Sequence, residues 1–286
     1  MKISVQIATL LFAGGVFLCG TRASAQATQQ QAPTLNPEKK QDKPAEVTPL
    51  TLDNAPPPVS AEEDAALKAF RAAPLTDLAK KDQLGEEFLQ KYPESRYRPE
   101  VYSLLVRGYL SLGQIDKMEV VGDKEIALKP DDAQTLAIVG STLPRAMNAS
   151  TPDPQKRLEK AEQYSKKALE VLPTLVKPED LSDTDFLKAK DQTSAMAYSG
   201  LGIVAFRRQK FAEAIPNFEQ AVKLDPTPDP VNFYLLGISN ERTSHFEDAA
   251  SAFTKCAAVP GGLQATCKSS ADEAKKLATT QLSAPK

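Results

Sequence analysis

The sequence predicts an all-α protein assembled from consecutive helix hairpins. Two stretches near the C-terminus match each other at an offset of 35 residues, in the order aromatic, Leu-Gly, aromatic, Ala-x3-Phe. The chain is 41% hydrophobic but only 6% aromatic and has no Trp, which suits packed helices better than a β-sandwich. The first copy contains Tyr198, Leu201, Gly202, Phe211, Ala214, Phe218 and Ala221, and the second contains Phe233, Leu236, Gly237, Phe246, Ala249, Phe253 and Cys256.

The first 25 residues are typical of an export signal. Lys2 gives the charged start, residues 3–18 are apolar, and Ala23-Ser24-Ala25 is a small-residue cleavage site. We predict cleavage after Ala25, with an uncleaved anchor as the alternative. The mature chain would then carry 33 basic and 37 acidic residues, a net charge of −4. It has no Lys/Arg cluster typical of nucleic-acid binding and no second apolar run long enough to span a bilayer.

Residues 26–59 predict a disordered linker, because Pro and Gln are frequent there and large apolar side chains are few. Such a segment cannot bury enough surface to offset its conformational entropy. From residue 60 onward, amphipathic segments separated by Pro predict helices. We assign 60–96 to an N-terminal hairpin, 99–132 to a degenerate repeat, and 133–176 to a repeat-like unit with an inserted loop near 146–155.

The C-terminal half is more regular. Ser182 is a good N-cap, and no Pro interrupts the helical pattern from 183 to 208, so 177–194 should be a connector followed by a helix extension. Two regular repeats follow at 195–228 and 230–262. An amphipathic helix at 263–280 should cover the last repeat, since a terminal unit needs a polar outer face.

The repeated pattern resembles the tetratricopeptide repeat superfamily, closely over 195–262 and more loosely over 99–176. Its small residues allow close helix approach, its large ones fill the gaps, and Pro226 ends the second helix. The resemblance implies a right-handed superhelical solenoid that binds a protein or peptide on a concave face lined by the first helix of each hairpin. Cys256 stands where the family has Ala. The Lys and Asn residues with which some members grip a C-terminal carboxylate are not matched here.

Five residues are candidates for partner binding on the predicted inner face: Phe206, Arg207, Tyr234, Ile238 and Arg242. Arg207 and Arg242 occupy equivalent repeat positions, and aromatic and Arg side chains are typical interface anchors. We expect them to contact an extended peptide or a helix that carries an acidic group. The alternative is that Phe206 and Ile238 pack within the stack and the two arginines are solvated.

Cysteine and histidine content argues against catalysis. Cys256 and Cys267 lie eleven residues apart and predict a disulfide in an oxidising compartment, with two free thiols as the alternative. The single His245 stands at a turn without companions for a metal site or a catalytic triad. We therefore expect no enzyme activity, cofactor, metal or small-molecule substrate.

The predicted function is that of an exported adaptor in the periplasm or elsewhere in the bacterial cell envelope, which binds a protein or peptide through the concave face. A structural component or assembly factor of an outer-membrane complex, bound through the convex face or the ends, is the alternative. An adaptor should expose apolar and Arg side chains on the inner face. A structural component should expose them on the outer face or at the ends.

Overall fold

A computed structural model describes residues 59–74 and 76–283. The predicted signal peptide (1–25) and nearly all of the predicted linker (26–59) lie outside these residues. Every regular element within the described ranges is helical, which confirms the all-α prediction. The eleven α-helices are α1 (Ala61–Ala72), α2 (Leu78–Lys91), α3 (Arg98–Ser111), α4 (Ile115–Leu128), α5 (Ala133–Ala146), α6 (Pro154–Val171), α7 (Asp183–Arg207), α8 (Phe211–Leu224), α9 (Pro230–Arg242), α10 (Phe246–Ala258) and α11 (Gln264–Ser283).

Short polar side chains set where several helices begin. Ser60 accepts a hydrogen bond from the Glu63 backbone N–H at 3.1 Å, and Ser182 accepts one from Asp185 at 3.1 Å. Asp132 does the same for Thr135 at 2.9 Å. Such caps satisfy N–H groups that have no partner inside the helix, and each stabilises its helix by about 1 kcal/mol.

The helices stack as successive antiparallel hairpins in two layers. Four of these pairs are α3–α4, α5–α6, α7–α8 and α9–α10, and each first helix also packs against the second helix of the preceding pair. The first helix α7 contacts both α5 and α9 directly, while α11 covers α10 at the C-terminal end. This is a helical solenoid, as the sequence predicts. None of the helices in the described ranges combines the length and apolar character needed to cross a lipid bilayer.

The same glycine–phenylalanine contact holds the last two hairpins together. A methyl group on Gly202 would lie 2.7 Å from the Phe218 ring, and one on Gly237 would lie 2.5 Å from the Phe253 ring. Both rings are fully buried. The 35-residue offset in the sequence therefore corresponds to a repeated close approach in space. Ala214 packs in one buried cluster with Phe218, and Ala249 packs in another with Phe253, while Ala221 and Cys256 are also fully buried.

The stack is tightest where α5, α6 and α7 meet. Ser165 of α6 is completely buried, and its Oγ lies between Gly140 of α5 and Gly200 of α7. A methyl group on Gly200 would lie 2.8 Å from the Gly140 carbonyl oxygen and 2.5 Å from Ser165 Oγ. Only glycine leaves room for this backbone-to-backbone contact.

A loop and a long helix distinguish the middle of the stack. The loop between α5 and α6 closes on itself through the Asn148 side chain, which accepts from the Ser150 N–H at 2.8 Å. Helix α7 has 25 residues, and its N-terminal part forms the predicted extension. Leu187 on this extension is 58% exposed, and Val176 in the preceding connector is 89% exposed. These two side chains are the most exposed large apolar groups within the described part of the chain.

A disulfide joins α10 to α11. Cys256 and Cys267 are both fully buried against Phe233, with their Cα atoms 5.7 Å apart. We expect its reduction to lower the free energy of unfolding by about 3 kcal/mol, because the bond closes an 11-residue loop in the unfolded chain. Thermal melts with and without reductant measure this. Two reactive thiols in denatured protein that has not been exposed to reductant would contradict the presence of the disulfide. A Ser251→Ala variant, an exposed substitution on α10, gives the background change in melting temperature.

Candidate partner-binding face

Polar side chains join the three first helices α5, α7 and α9, whose shared surface we call the first-helix face. The Arg145 guanidinium forms an ion pair with Asp229, the residue that caps α9, and donates to Ser199 Oγ of α7 at 3.2 Å. Ser199 donates in turn to Asn232 Oδ1 of α9 at 2.7 Å. The Arg145 side chain remains 37% exposed, so this network is reachable from solvent.

Arg207 has an intrachain role that the repeat pattern does not predict. Its guanidinium donates to the Met147 carbonyl oxygen at 2.8 Å, just beyond the end of α5. Carbonyls at a helix C-terminus have no partner inside the helix, and a basic side chain can satisfy them. Burial lowers the pKa of Arg207, in keeping with its half-buried position. The side chain ties α7 to α5 and is not solvated.

The other four predicted binding residues differ in how far they are buried. Phe206 is half-buried and meets the Phe211 ring edge-on, with centroids 5.4 Å apart. Tyr234 packs on Phe253 at 5.8 Å, and Ile238 packs on the same cluster. These contacts agree with the alternative in which the apolar candidates pack within the stack. Arg242, at the last position of α9, is the exposed member of the set.

A groove lies farther along the stack, between α3, the end of α4 and the start of α5. It has a volume of about 540 Å³. Glu125 lies at its base and is only 1% exposed. One carboxylate oxygen, Oε2, accepts from the Thr135 hydroxyl, while Oε1 has no hydrogen-bond partner among the described residues. Burial raises the pKa of the Glu125 carboxyl to about 7.

A second buried carboxylate, Asp82, belongs to the packing of α2 against α3. It is 5% exposed and lies directly against Gly108, where any side chain would collide with it. Burial, followed by repulsion from Glu86, raises the pKa of Asp82 to about 6. It does not line the groove, whereas Glu125 does.

On the opposite side of the stack, charged residues of α4 and α6 satisfy one another. Arg157 bonds Glu119 at 2.6 Å, and Lys160 bonds both Glu119 at 2.8 Å and Asp123 at 2.7 Å. Tyr164 also donates to Asp123, at 2.9 Å. These side chains form a closed network between the second helices, and little of their hydrogen-bonding capacity is left for a partner.

The repeat identified in the sequence matches a known family. Residues 195–228 match the model of the tetratricopeptide repeat. The chain therefore contains a tetratricopeptide repeat at 195–228. Its matched segment covers the second half of α7 together with α8, so Tyr198, Leu201, Gly202, Ala214, Phe218 and Ala221 all lie inside it. The fold is typically used as a non-enzymatic interaction scaffold, and it implies protein partners.

Several solved structures resemble this one in fold. A thermophilic tetratricopeptide-repeat protein of Thermus thermophilus has 19% identity and a TM-score of 0.46, covering 74% of this chain and 98% of its own. PilW, a type IV pilus biogenesis factor, has 16% identity and a TM-score of 0.48, with coverages of 78% and 93%. MamA of Desulfovibrio magneticus RS-1 has 17% identity and a TM-score of 0.47, with coverages of 69% and 94%. No curated protein sequence matches the chain.

Across 59–74 and 76–283, no three His, Cys, Asp or Glu side chains lie together in a way that could hold a metal ion. His245 is exposed and contacts the Thr243 hydroxyl through Nδ1 at 3.0 Å. It precedes α10 at the end of a tight turn in which Ser244 has a positive φ of 63°. Its position matches the turn predicted from the sequence.

Proposed function

We propose that this chain is a non-catalytic scaffold that binds a protein or an extended peptide on its first-helix face, after export to the bacterial cell envelope. The observation that carries the proposal is the continuous surface made by α5, α7 and α9, held together by the Arg145 network. A stack of this kind presents one long surface and needs no reacting group to act.

Charge favours the first helices, α3 as well as those of the first-helix face, over the second helices. Arg107 of α3 and Arg242 of α9 are exposed, and neither has a salt-bridge partner among the described residues. The arginines and lysines between α4 and α6 are already paired. Unpaired Arg side chains are typical anchors for carboxylates at interfaces, so the first-helix side has the greater capacity for an acidic partner.

Two features support an extracytoplasmic location. Residues 1–25 have the order of charged, apolar and small-residue segments that export signals share. The disulfide between Cys256 and Cys267 suits an oxidising compartment such as the periplasm. Both points support export, and neither selects a particular site within the envelope.

One observation favours the alternative, a structural component bound elsewhere on the stack. Val176 and Leu187 are exposed apolar side chains, the first in the connector before α7 and the second on the N-terminal extension of α7. Exposed apolar side chains can form part of a binding site for a partner protein. A Val176→Ser, Leu187→Ser double variant that loses the partner would favour this second function.

Affinity capture from envelope extract tests the proposal. We expect an Arg107→Glu, Arg242→Glu variant to lose a partner that the unaltered protein retains, because both anchors become repulsive to an acidic surface. The matched control is Lys156→Glu with Lys223→Glu, which makes the same charge change at exposed positions of the second helices α6 and α8. If the partner is retained by the Arg107→Glu, Arg242→Glu variant and lost by the control variant, the choice of face is wrong. Arg207 is left unchanged because it caps α5.

A further inference from the structure

Helix α11 covers the C-terminal end of the stack with small side chains. Its buried side chains, among those that the structure describes, are Cys267, Ala271, Ala274 and Ala278, while the larger Leu277 is 37% exposed. Hydrophobic stabilisation scales with the apolar area removed from water, so a face of alanines holds a helix more weakly than a face of leucines. An open groove of about 540 Å³ also remains between α10 and α11. Apolar packing alone therefore holds α11 weakly.

Two carboxylates of like charge lie on α11 and on the hairpin beneath it. Burial, followed by the charge of Glu273 on α11, raises the pKa of the Glu241 carboxyl on α9, and the charge of Arg242 acts in the opposite direction. Among the residues that the structure describes, no ion pair joins α11 to α9 or α10. The Gln264 side chain does donate to the Ala257 carbonyl oxygen at 3.1 Å, at the start of α11. The repulsion between the two carboxylates opposes the docking of α11.

The disulfide holds α11 where packing and charge do not. Cys256 of α10 is bonded to Cys267, one turn into α11, and both are fully buried beside Phe233. The bond closes a loop of 11 residues, and closing a loop of this length shifts an equilibrium by roughly 100-fold. Reduction of the bond removes this constraint and leaves α11 with its alanine contacts.

Departure of α11 would uncover an apolar surface on α9 and α10. Ala249, Ala250 and Phe253 of α10 form one buried cluster with two alanines of α11. Tyr234 and Ile238 of α9 pack against this cluster, and the Tyr234 ring lies 5.8 Å from the Phe253 ring. Aromatic side chains are typical anchors at protein interfaces. Two of the residues that the repeat pattern singles out therefore border a surface that α11 covers.

We propose that α11 is a releasable cover held in place by the Cys256–Cys267 disulfide, and that the surface beneath it binds a basic amphipathic helix of a partner protein once the bond is reduced. A Lys or Arg of this helix would lie opposite Glu241, where α11 places Glu273, so repulsion is replaced by attraction. The α11 helix of a second copy carries the same glutamate and fits no better. This inference goes beyond the proposed function, which does not depend on the release of α11.

Reduction of the bond requires a dithiol. The dithiol gives two electrons and two protons to the bond and becomes a disulfide itself, and Cys256 and Cys267 become free thiols. Both cysteines are fully buried, so a thiolate reaches the bond only when the exposed loop at 260–262 opens locally. Without a dithiol, such openings close again with α11 still attached.

Hydrogen exchange of the full chain, with and without dithiothreitol, tests whether the disulfide holds α11. We expect the amides of α11 to exchange about 100-fold faster after reduction, confirmed by alkylation of two thiols, while α5 and α6 keep their protection. A Cys256→Ser, Cys267→Ser variant should resemble the reduced protein whether or not dithiothreitol is present. Unchanged protection of α11 after reduction would overturn the inference. Equal loss of protection in α5 and α11 would overturn it too, because the whole stack would then be unfolding.

Fluorescence anisotropy tests the surface, with labelled peptides of the chain's own residues 264–283 as probes. Both peptides carry Cys267→Ser, and one also carries Glu273→Lys. We expect the Glu273→Lys peptide to bind the reduced full chain about 10-fold more tightly than the other peptide, and neither to bind the oxidised chain. Glu241→Gln in the full chain should remove this preference. The matched control is Glu219→Gln, which removes an exposed carboxylate from α8 and should retain the preference.

Four results would overturn the proposed surface. They are equal binding of the two peptides, equal binding to oxidised and reduced protein, a preference that survives Glu241→Gln, and no binding to the reduced chain at peptide concentrations on the order of 1 mM. Light scattering that shows a dimer of the reduced chain would assign the surface to a second copy and contradict the basic helix. All of these results leave the proposed function standing, since its capture experiment uses protein whose disulfide is formed.

Discussion

Replacement of Gly200 by leucine should lower the free energy of unfolding by about 3 kcal/mol or more, a large part of the roughly 5–15 kcal/mol that is typical of a folded domain. The first added carbon would lie 2.8 Å from the Gly140 carbonyl oxygen, which is closer than van der Waals contact with a neighbouring backbone allows. The backbone in the middle of a packed helix cannot relieve a clash by changing rotamer, as a side chain can. The stack would have to separate between α5 and α7.

Urea unfolding followed by circular dichroism measures this effect. Gly237→Leu is an informative comparison, because there the obstacle is the Phe253 ring, which can rotate, and a cost of about 1–3 kcal/mol is expected. Ala212→Leu, on the exposed surface of α8, should change stability by about 0.5 kcal/mol or less. A Gly200→Leu variant as stable as the Ala212 control would show that α5 and α7 are not packed as described.

The second large effect is a loss of stability with rising pH. Glu125 has a folded-state pKa of about 7 against an ordinary value of 4.5, because burial disfavours the charged form. The stability that the protonated Glu125 carboxyl contributes to the folded state is therefore fully present below pH 4.5 and is lost as pH rises through 7. The difference between the folded-state and the ordinary pKa of Glu125 corresponds to about 3 kcal/mol of unfolding free energy. The pKa of Asp82 is raised to about 6, so this carboxyl changes stability in the same direction.

Stability measured from pH 5 to pH 8 tests this expectation. The unaltered protein should lose more stability over this interval than Glu125→Gln, which cannot ionise. Glu247→Gln removes an exposed carboxylate on α10 and should retain the full pH dependence. If the free energy of unfolding falls equally with pH in the unaltered protein and in Glu125→Gln, the raised pKa of this carboxyl is contradicted. An NMR resonance of the Glu125 carboxyl carbon that titrates below pH 5 would contradict it as well.

The repeat spacing predicts contacts within a hairpin well. Gly202 and Phe218 are sixteen residues apart, and the sequence repeats that spacing at Gly237 and Phe253. Contacts within a hairpin depend only on the short turn between its helices, so local sequence determines them. The unbroken helical pattern from 183 to 208 likewise predicts a long helix, and the structure has one of 25 residues.

Contacts between distant hairpins are not predictable in this way. Arg145 reaches Asp229 across 84 residues, and its position depends on the angle at which three hairpins stack. For the same reason, the repeat pattern does not indicate that Arg207 caps α5. Glu125 is different, because it continues the apolar stripe of Met118, Val121 and Gly122 at helical spacing. A carboxylate on a buried stripe is a recognisable signal of an unusual site.

Site-specific photo-crosslinking tests the central claim most directly, namely that the first-helix side binds the partner. A photoreactive residue is placed at 107 or 242 on the first helices, or at 156 or 223 on the second helices, and the protein is irradiated in envelope extract. We predict a crosslinked partner from positions 107 and 242 and none from 156 and 223. Crosslinks from 156 and 223 alone would contradict this claim and move the binding surface to the second helices.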